Sequence, residues 1–287
     1  MTTALTGRAA TAASAHVLVV LNKMVVSGVP LDAYCGGIHS GIGSAAEHVF
    51  VIDRRTRDQL VAQDASSAEI LKPYLTAKDI RPWRIEERDL WLIYTHPGIE
   101  MNRYPAVLDY LRTFRGGLEA RPNRGQSTWY ELRRARETLA SALAQPKLVF
   151  PSFSNSPRCA MDSIGRYVSH DVYFVVGADR YLQGIIGSRM AWFFLIYVSA
   201  ATGMGYYRLY LRDVKRLPIP RAPESVRKVV AVLVERLSDE TCPDRLGLEA
   251  EVNDRVAALY GLTTDEERRL VEGLPPAPAE SENEASL

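Results

Sequence analysis

Arginine and aromatic side chains fall into three groups in this sequence. The densest is Arg121, Arg124, Trp129, Tyr130, Arg133, Arg134 and Arg136, with few acids nearby. Arg133, Arg134 and Arg136 cannot share one face of a helix, so at least one of them is expected to face solvent or a phosphate. The second group is Lys78, Arg81, Trp83, Arg84 and Arg88, interleaved with Glu86, Glu87 and Asp89. It has two readings: a solvated strand face neutralised by those acids, or a surface for guanine edges, since a guanidinium donates two coplanar hydrogen bonds. The third group is Arg158 with Tyr206, Tyr207 and Arg208, flanking a long apolar run. Gly203 and Gly205 would let that loop approach a backbone or groove, whereas the tyrosines could simply pack.

Bond-making chemistry is hard to find. The sequence has no G-x-S-x-G, H-E-x-x-H or P-loop pattern. It offers no convincing pair of carboxylates with a lysine, as a nuclease would need, and Asn155-Ser156-Pro157 is not the Asn-Pro-Pro-aromatic sequence of adenine-N6 methyltransferases. Gly41-x-Gly43-x-x-Ala46 matches a nucleotide-binding glycine pattern, but such a motif lies between a strand and a helix, and here HVFVID follows almost at once. The alternatives are a tight turn that needs positive φ, or a flexible loop that meets a phosphate with His39 and Ser40 as donors. Cys35, Cys159 and Cys242 are far apart, form no C-x-x-C, and suit a reducing compartment better than a zinc site. The expected location is cytoplasmic, with no metal.

The net charge of +1 hides an uneven distribution. Residues 72–136 carry 13 Lys/Arg against 8 Asp/Glu, and residues 221–287 carry 8 against 15. A basic middle and an acidic tail fit a polyanion-binding face. HVLVVL is too short for a secretory core, and Asn22-Lys23 follows it in place of a cleavage site. Met190 to Tyr207 has no charge, but Gly203 and Gly205 interrupt it, so a buried helix is expected and not a membrane span.

The elements that must hold these residues mix without regular βαβ alternation, so the expected class is α+β, a mixed sheet with packed helices and a C-terminal helical appendage. Residues 1–25 read as a tail and helix, 26–220 as the main domain, 221–273 as a helical appendage and 274–287 as a disordered acidic tail. Helices are predicted at Ala13–Val26, Arg54–Gln63, Tyr104–Arg115, Trp129–Leu143, Glu224–Leu237 and Leu248–Tyr260, with Thr263 or Thr264 capping a last one. A strand is predicted at His48–Ile52, a turn of helix capped by Ser66 or Ser67 follows, and two strands flank a charged turn between Lys78 and Thr95. The segment from Arg115 to Trp129 reads as a loop.

Several blocks occur in an order that is itself informative. SGVPLDAYCGGIHSGIGSAAEHVFVIDRRTRDQL is followed by AEILKPYLTAKDIRPW, YPAVLDYLRTFRGGLEAR, WYELRR and KLVFPSFSN. The Asp162-to-Phe174 strand pair, YLQGIIGSRMAWFF, LYLRDVKRLPIP and VNDRVAALYGLTTDEERRLVEG complete the series. Over roughly residues 25–273 this resembles the TaqI-like C-terminal specificity domain, the target-recognition domain of adenine-specific DNA methyltransferases and restriction-modification enzymes. Gly187-Ser188, His39 and Gly43 depart from residues frequent in that family, at loops that vary with the target. The resemblance implies a module that binds double-stranded DNA and directs adenine-N6 methylation or cleavage within a restriction-modification or phage-defence system. It implies S-adenosylmethionine on a catalytic module or partner methyltransferase, since only about 25 residues precede the resemblance here. The DNA-binding candidates are then His39, Ser40, Lys78, Arg81, Trp83, Arg84, Arg124, Trp129, Tyr130, Arg133, Arg158, Tyr206, Tyr207 and Arg208. The alternative is a non-catalytic interaction module that docks a methyltransferase without reading DNA, through the first helix and the helices after Pro220.

Overall fold

A computed structural model describes residues 15–43, 46–121, 128–132, 135, 137–203 and 205–273. The α+β expectation holds: helices pack on several mixed sheets. At the centre Lys147–Pro151 lies between Val172–Val176 and Ala160–Asp162, and His39–Ser40 extends the sheet beyond Val172–Val176. All pairings in it are antiparallel.

Both long central strands are almost wholly buried, because the sheet separates two apolar cores. Leu148, Phe150, Tyr173 and Val175 enter one core, with helices Arg180–Ile186 and Arg189–Val198. Val149, Ala160, Val172 and Phe174 enter the other. Side chains alternate across a pleated strand, and two buried faces turn that alternation into a continuous apolar run. The second core is closed by another four-stranded sheet, ordered Val51–Asp53, Leu90–Ile93, Leu71–Leu75, Tyr167–Val168, whose last pair is parallel.

The appendage helices Glu224–Leu237 and Arg245–Leu259 join the first core through Val230, Leu233, Val234, Leu248, Val252 and Val256. The helix Ala15–Ser27 buries Val17, Val20, Leu21 and Met24 in the same core. Gly28–Pro30 pairs antiparallel with Pro218–Pro220 and forms a clasp. Two buried tyrosines secure it: Tyr181 donates to the Pro220 carbonyl at 2.7 Å and Tyr260 to the Pro218 carbonyl at 2.6 Å. The uninterrupted apolar helix expected from Met190 is Arg189–Val198, followed by the strand Ala200–Gly203. No helix among the described residues is long and apolar enough to cross a membrane.

Local corrections have local causes. The strand expected at His48–Ile52 is shorter, because Glu47–Phe50 is a helical turn and Val51–Asp53 the strand. The cap expected from Ser66 or Ser67 is supplied by Asp64, whose side chain accepts the Ser66 amide. Of the two strands expected between Lys78 and Thr95, Leu90–Ile93 forms, and the first is replaced by a 3-10 turn over Ala77–Asp79 with a bridge between Ile80 and Ile85. Arg115–Glu119 is helical where a loop was expected, and the helix expected from Trp129 begins at Glu137. The predicted tails at 1–12 and 274–287 lie outside the described residues.

Gly41 answers the question raised by its motif. A Cβ there would lie 2.2 Å from the Val168 carbonyl oxygen and 2.3 Å from that of Ser169. The glycine permits backbone to pack on backbone, and positive φ is not its reason. Gly41→Ala is expected to lower stability by about 1–3 kcal/mol. The check is a lower urea midpoint with an unchanged m-value.

Candidate nucleic-acid interface

One end of the central sheet gathers five chain segments. Pro151 pairs with Val172 there, and the Gly41 amide donates to the Val172 carbonyl at 3.0 Å. The Ser152 amide donates to Asp171 at 2.7 Å, and the Leu209 amide to Ser152 at 2.8 Å. Tyr173 adds a hydroxyl bond to the Leu209 carbonyl at 2.9 Å. The Ser169 amide donates to Leu75 at 2.9 Å, which brings in the turn that carries Lys78. Segments 41–43, 76–88, 152–158, 169–171 and 206–212 therefore border one edge of the molecule.

The most accessible part of this edge is a three-stranded sheet, ordered Ala200–Gly203, Tyr206–Arg208, Phe153–Ser154. Arg208 is directly opposite Phe153, and Tyr207 opposite Ser154. Opposite residues project to the same side and neighbours along a strand to opposite sides. Phe153, Tyr206 and Arg208 thus share the outer face. The Phe153 and Tyr206 rings stack with centroids 4.9 Å apart and planes 11° from parallel. Arg208 is exposed beside them, and among the described residues no hydrogen bond or ion pair engages its side chain. Tyr207 turns inward, edge-on to Trp192 at 5.7 Å, and Ser154 is buried with it. Arg158 donates from Nε to Ser154 Oγ at 3.1 Å and so braces the sheet from its side.

Sequence reasoning missed three members of this surface. Phe153 is 36% exposed, and Tyr210 is 40% exposed with the Arg212 guanidinium 5.1 Å above its ring. The usable signal was alternation: Arg208, Tyr210 and Arg212 recur every second residue, as Pro151 and Phe153 do. Behind the surface, burial and then the neighbouring Asp171 carboxylate push the Glu47 carboxyl up from its ordinary value. Burial likewise pushes the Tyr74 hydroxyl up, with Glu47 and Asp171 adding to the effect.

The segment 78–88 behaves differently. Arg81 pairs with Glu86. Arg88 pairs with the buried Asp79 and donates to Thr76 Oγ1 at 2.6 Å. Arg84 faces Glu240 of the appendage at 3.8 Å. Lys78 is exposed on the turn. Trp83, expected at the surface, is only 4% exposed and belongs to the first core. It sits at φ 69°, a left-handed conformation uncommon for a bulky side chain, with its ring packed in that core.

Trp129 and Tyr130 lie elsewhere. The Tyr130 carbonyl accepts from Thr95 Oγ1 at 2.5 Å, and Thr95 follows the strand Leu90–Ile93 at the end where Ile93 meets Leu71. Lys78 follows Leu75, at the opposite end of the same sheet. With Arg103, Arg112 and Arg115 the two aromatics line a groove of 510 Å³, and the Arg115 guanidinium stands 5.5 Å from the Trp129 ring. Arg121 is a structural brace, donating to the Leu118 and Trp129 carbonyls at 3.0 and 2.6 Å. Arg124 and Arg133, with Arg134 and Arg136, lie outside the described residues. His39 is exposed on the edge strand of the central sheet with its ring 5.1 Å from that of Phe174, and Ser40 pairs with Tyr173. Among the described residues no group of three or more His, Cys, Asp or Glu side chains is placed to hold a metal ion.

The model of the TaqI-like C-terminal specificity domain matches residues 72–219, from the strand that holds Lys72 to the closing clasp. The chain belongs to this family. The match is narrower than the resemblance read from the sequence, since the block from Ser27 to Leu60 precedes it and the block from Val252 to Gly273 follows it. The type II methyltransferase M.BanIII of Aneurinibacillus aneurinilyticus is 25% identical over 244 residues, which is 77% of this chain and 41% of that enzyme. The chain thus spans about two fifths of this relative's length. The type IIL restriction-modification enzyme MmeI, solved in complex with DNA, superposes with a TM-score of 0.62 at 14% identity, covering 87% of this chain and 35% of MmeI. That likeness places the same fold inside a larger protein. The type IIG restriction endonuclease BpuSI is similar at a TM-score of 0.48 and 13% identity, over 88% of this chain and 34% of its own.

Proposed function

We propose that this TaqI-like specificity module reads duplex DNA for a restriction-modification or phage-defence system. It directs an adenine-N6 methyltransferase, or an associated nuclease, whose catalytic groups lie on another subunit or another part of a longer chain. The observation that supports this most directly is the outer sheet face: the Phe153–Tyr206 stack with the unengaged Arg208 beside it, on an edge to which the turn carrying Lys78 also contributes. A planar guanidinium at a groove matches guanine O6 and N7, while lysine and backbone amides suit phosphates. S-adenosylmethionine would bind the catalytic partner, and the residues here would hold the duplex in register while that partner extrudes the adenine. The setting is the bacterial-type cytoplasm in which such partners meet DNA.

The test is selection from a randomised duplex pool with the purified chain at two salt concentrations. Enrichment of one short sequence, with affinity that falls steeply as salt rises, is the expected result. Absence of binding even at low salt would refute the proposal. A second reading, docking of a methyltransferase without DNA readout, draws on the helix Ala15–Ser27. Leu18, Val19, Val25 and Val26 are exposed on it, an apolar stripe away from the core. Capture of a methyltransferase by a chain with no DNA affinity would favour that reading.

A further inference from the structure

Trp83 is a strained residue held from three sides. Left-handed φ is uncommon for a bulky side chain and persists where the surroundings over-determine it. Its indole Nε1 donates to Glu249 Oε1 of the appendage at 2.9 Å. Its carbonyl accepts from the buried Gln183 Nε2 at 3.1 Å. Its ring presses on Gly187, where a Cβ would lie 2.6 Å from the indole carbons. Next to it, Arg84 approaches Glu240, also on the appendage side. Trp83 sits at the tip of the turn that begins at Thr76 and returns through Glu86, whose amide donates to the Asp79 carbonyl at 2.8 Å.

We infer that Glu249, acting through Trp83, is a positioning residue for the 76–88 turn, so that the helical appendage sets the geometry in which Lys78 faces DNA. This rests on the DNA-reading function proposed above. The physical basis is that the turn's internal bonds, Glu86 to Asp79 and Arg81 to Arg84 along the backbone with the Arg81–Glu86 and Arg88–Asp79 pairs, close its base, whereas its tip at Trp83 is held by contacts outside the turn. Among the described residues the indole anchor is the one bond from the turn into the appendage that carries both a buried ring and a carboxylate acceptor. Without the acceptor the indole N–H loses its partner, and the left-handed conformation loses one of its three restraints.

The experiment compares the full chain with Glu249→Ala and Glu249→Gln. Glutamine keeps an oxygen that can accept from the indole, and alanine does not. Glu249→Ala is expected to reduce discrimination between the selected duplex and its single-base variants by about tenfold. Affinity for random duplex should fall with it and the salt slope become shallower, because the displaced turn carries Lys78, a phosphate contact that also fixes register. Hydrogen exchange at the Arg81 and Glu86 amides should accelerate in the alanine variant, and glutamine should restore both readouts. Unchanged exchange in Glu249→Ala would overturn the inference without reference to DNA. Faster exchange with undiminished discrimination would overturn the positioning role. If the unaltered chain itself fails to discriminate, the DNA-reading function fails and the positioning role with it, whereas accelerated exchange rescued by glutamine would still establish the anchor.

Discussion

Asp162→Ala is expected to destabilise the protein by about 3–5 kcal/mol, the range for removing one partner of a buried ion pair. Lys147 and Asp162 are both fully buried, and their Nζ and Oδ2 atoms are 2.7 Å apart. Lys147 also donates to the Leu143 and Gln145 carbonyls at 2.6 and 3.3 Å. Asp162 accepts the Arg166 amide at 2.7 Å and the Arg166 guanidinium at 2.9 Å. Burial pulls the Lys147 ammonium down from its ordinary value, and the Asp162 carboxylate opposes that pull. Alanine at 162 would leave one buried cation and a second, mostly buried one without their common anion. Thermal unfolding followed by circular dichroism checks it: the midpoint should fall by roughly 6–20 °C. Lys147→Met combined with Asp162→Leu should recover much of the loss, because an apolar pair of similar volume carries no desolvation cost. A drop under 1 kcal/mol in Asp162→Ala would show that water reaches the pair.

Arg208→Ala is expected to weaken binding to the selected duplex by about 1–3 kcal/mol and to relax preference at one base position. Its side chain is exposed and the substitution leaves the strand's backbone pairing in place, so the unfolding free energy should stay within about 0.5 kcal/mol of the unaltered chain. Its neighbours set its direction: Phe153 and Tyr206 wall off one side of the outer face. Competition binding against every single-base variant of the selected site measures the effect. Uniform weakening across all variants, with a salt slope shallower by about one, would instead assign Arg208 to a phosphate.

Elements governed by neighbours in sequence were readable before the fold was known. Arg54–Gln63 and Glu224–Leu237 have the predicted bounds, the first because Asp53 accepts the Thr56 amide at its start. Thr264, one of the two residues expected to cap the last helix, does so, and Glu267 completes a capping box with it. Tyr206 and Tyr207 were found as a pair, but which one faces outward depends on pairing with Phe153–Ser154, a strand some fifty residues earlier. Trp83 was misplaced because five charged residues follow it within six positions, while its environment is set by Gly187 and Glu249, far along the chain. Trp129 sits outside a helix because Arg121 holds its carbonyl. The common element in these misses is a contact made at long range, to which local periodicity is blind.

The clasp has a bearing on how the chain reaches this state. Gly28 pairs with Pro220, so the first strand waits for its partner through nearly the whole of the specificity domain. At ordinary rates of ribosomal synthesis that interval is roughly 10–40 s. During it the helix Ala15–Ser27 lacks the Tyr260 carbonyl that Ser27 contacts and the clasp carbonyls that Tyr181 and Tyr260 bond. The buried face of that helix, Val17, Val20, Leu21 and Met24, therefore goes without part of its native core until the last quarter of the polypeptide has been made.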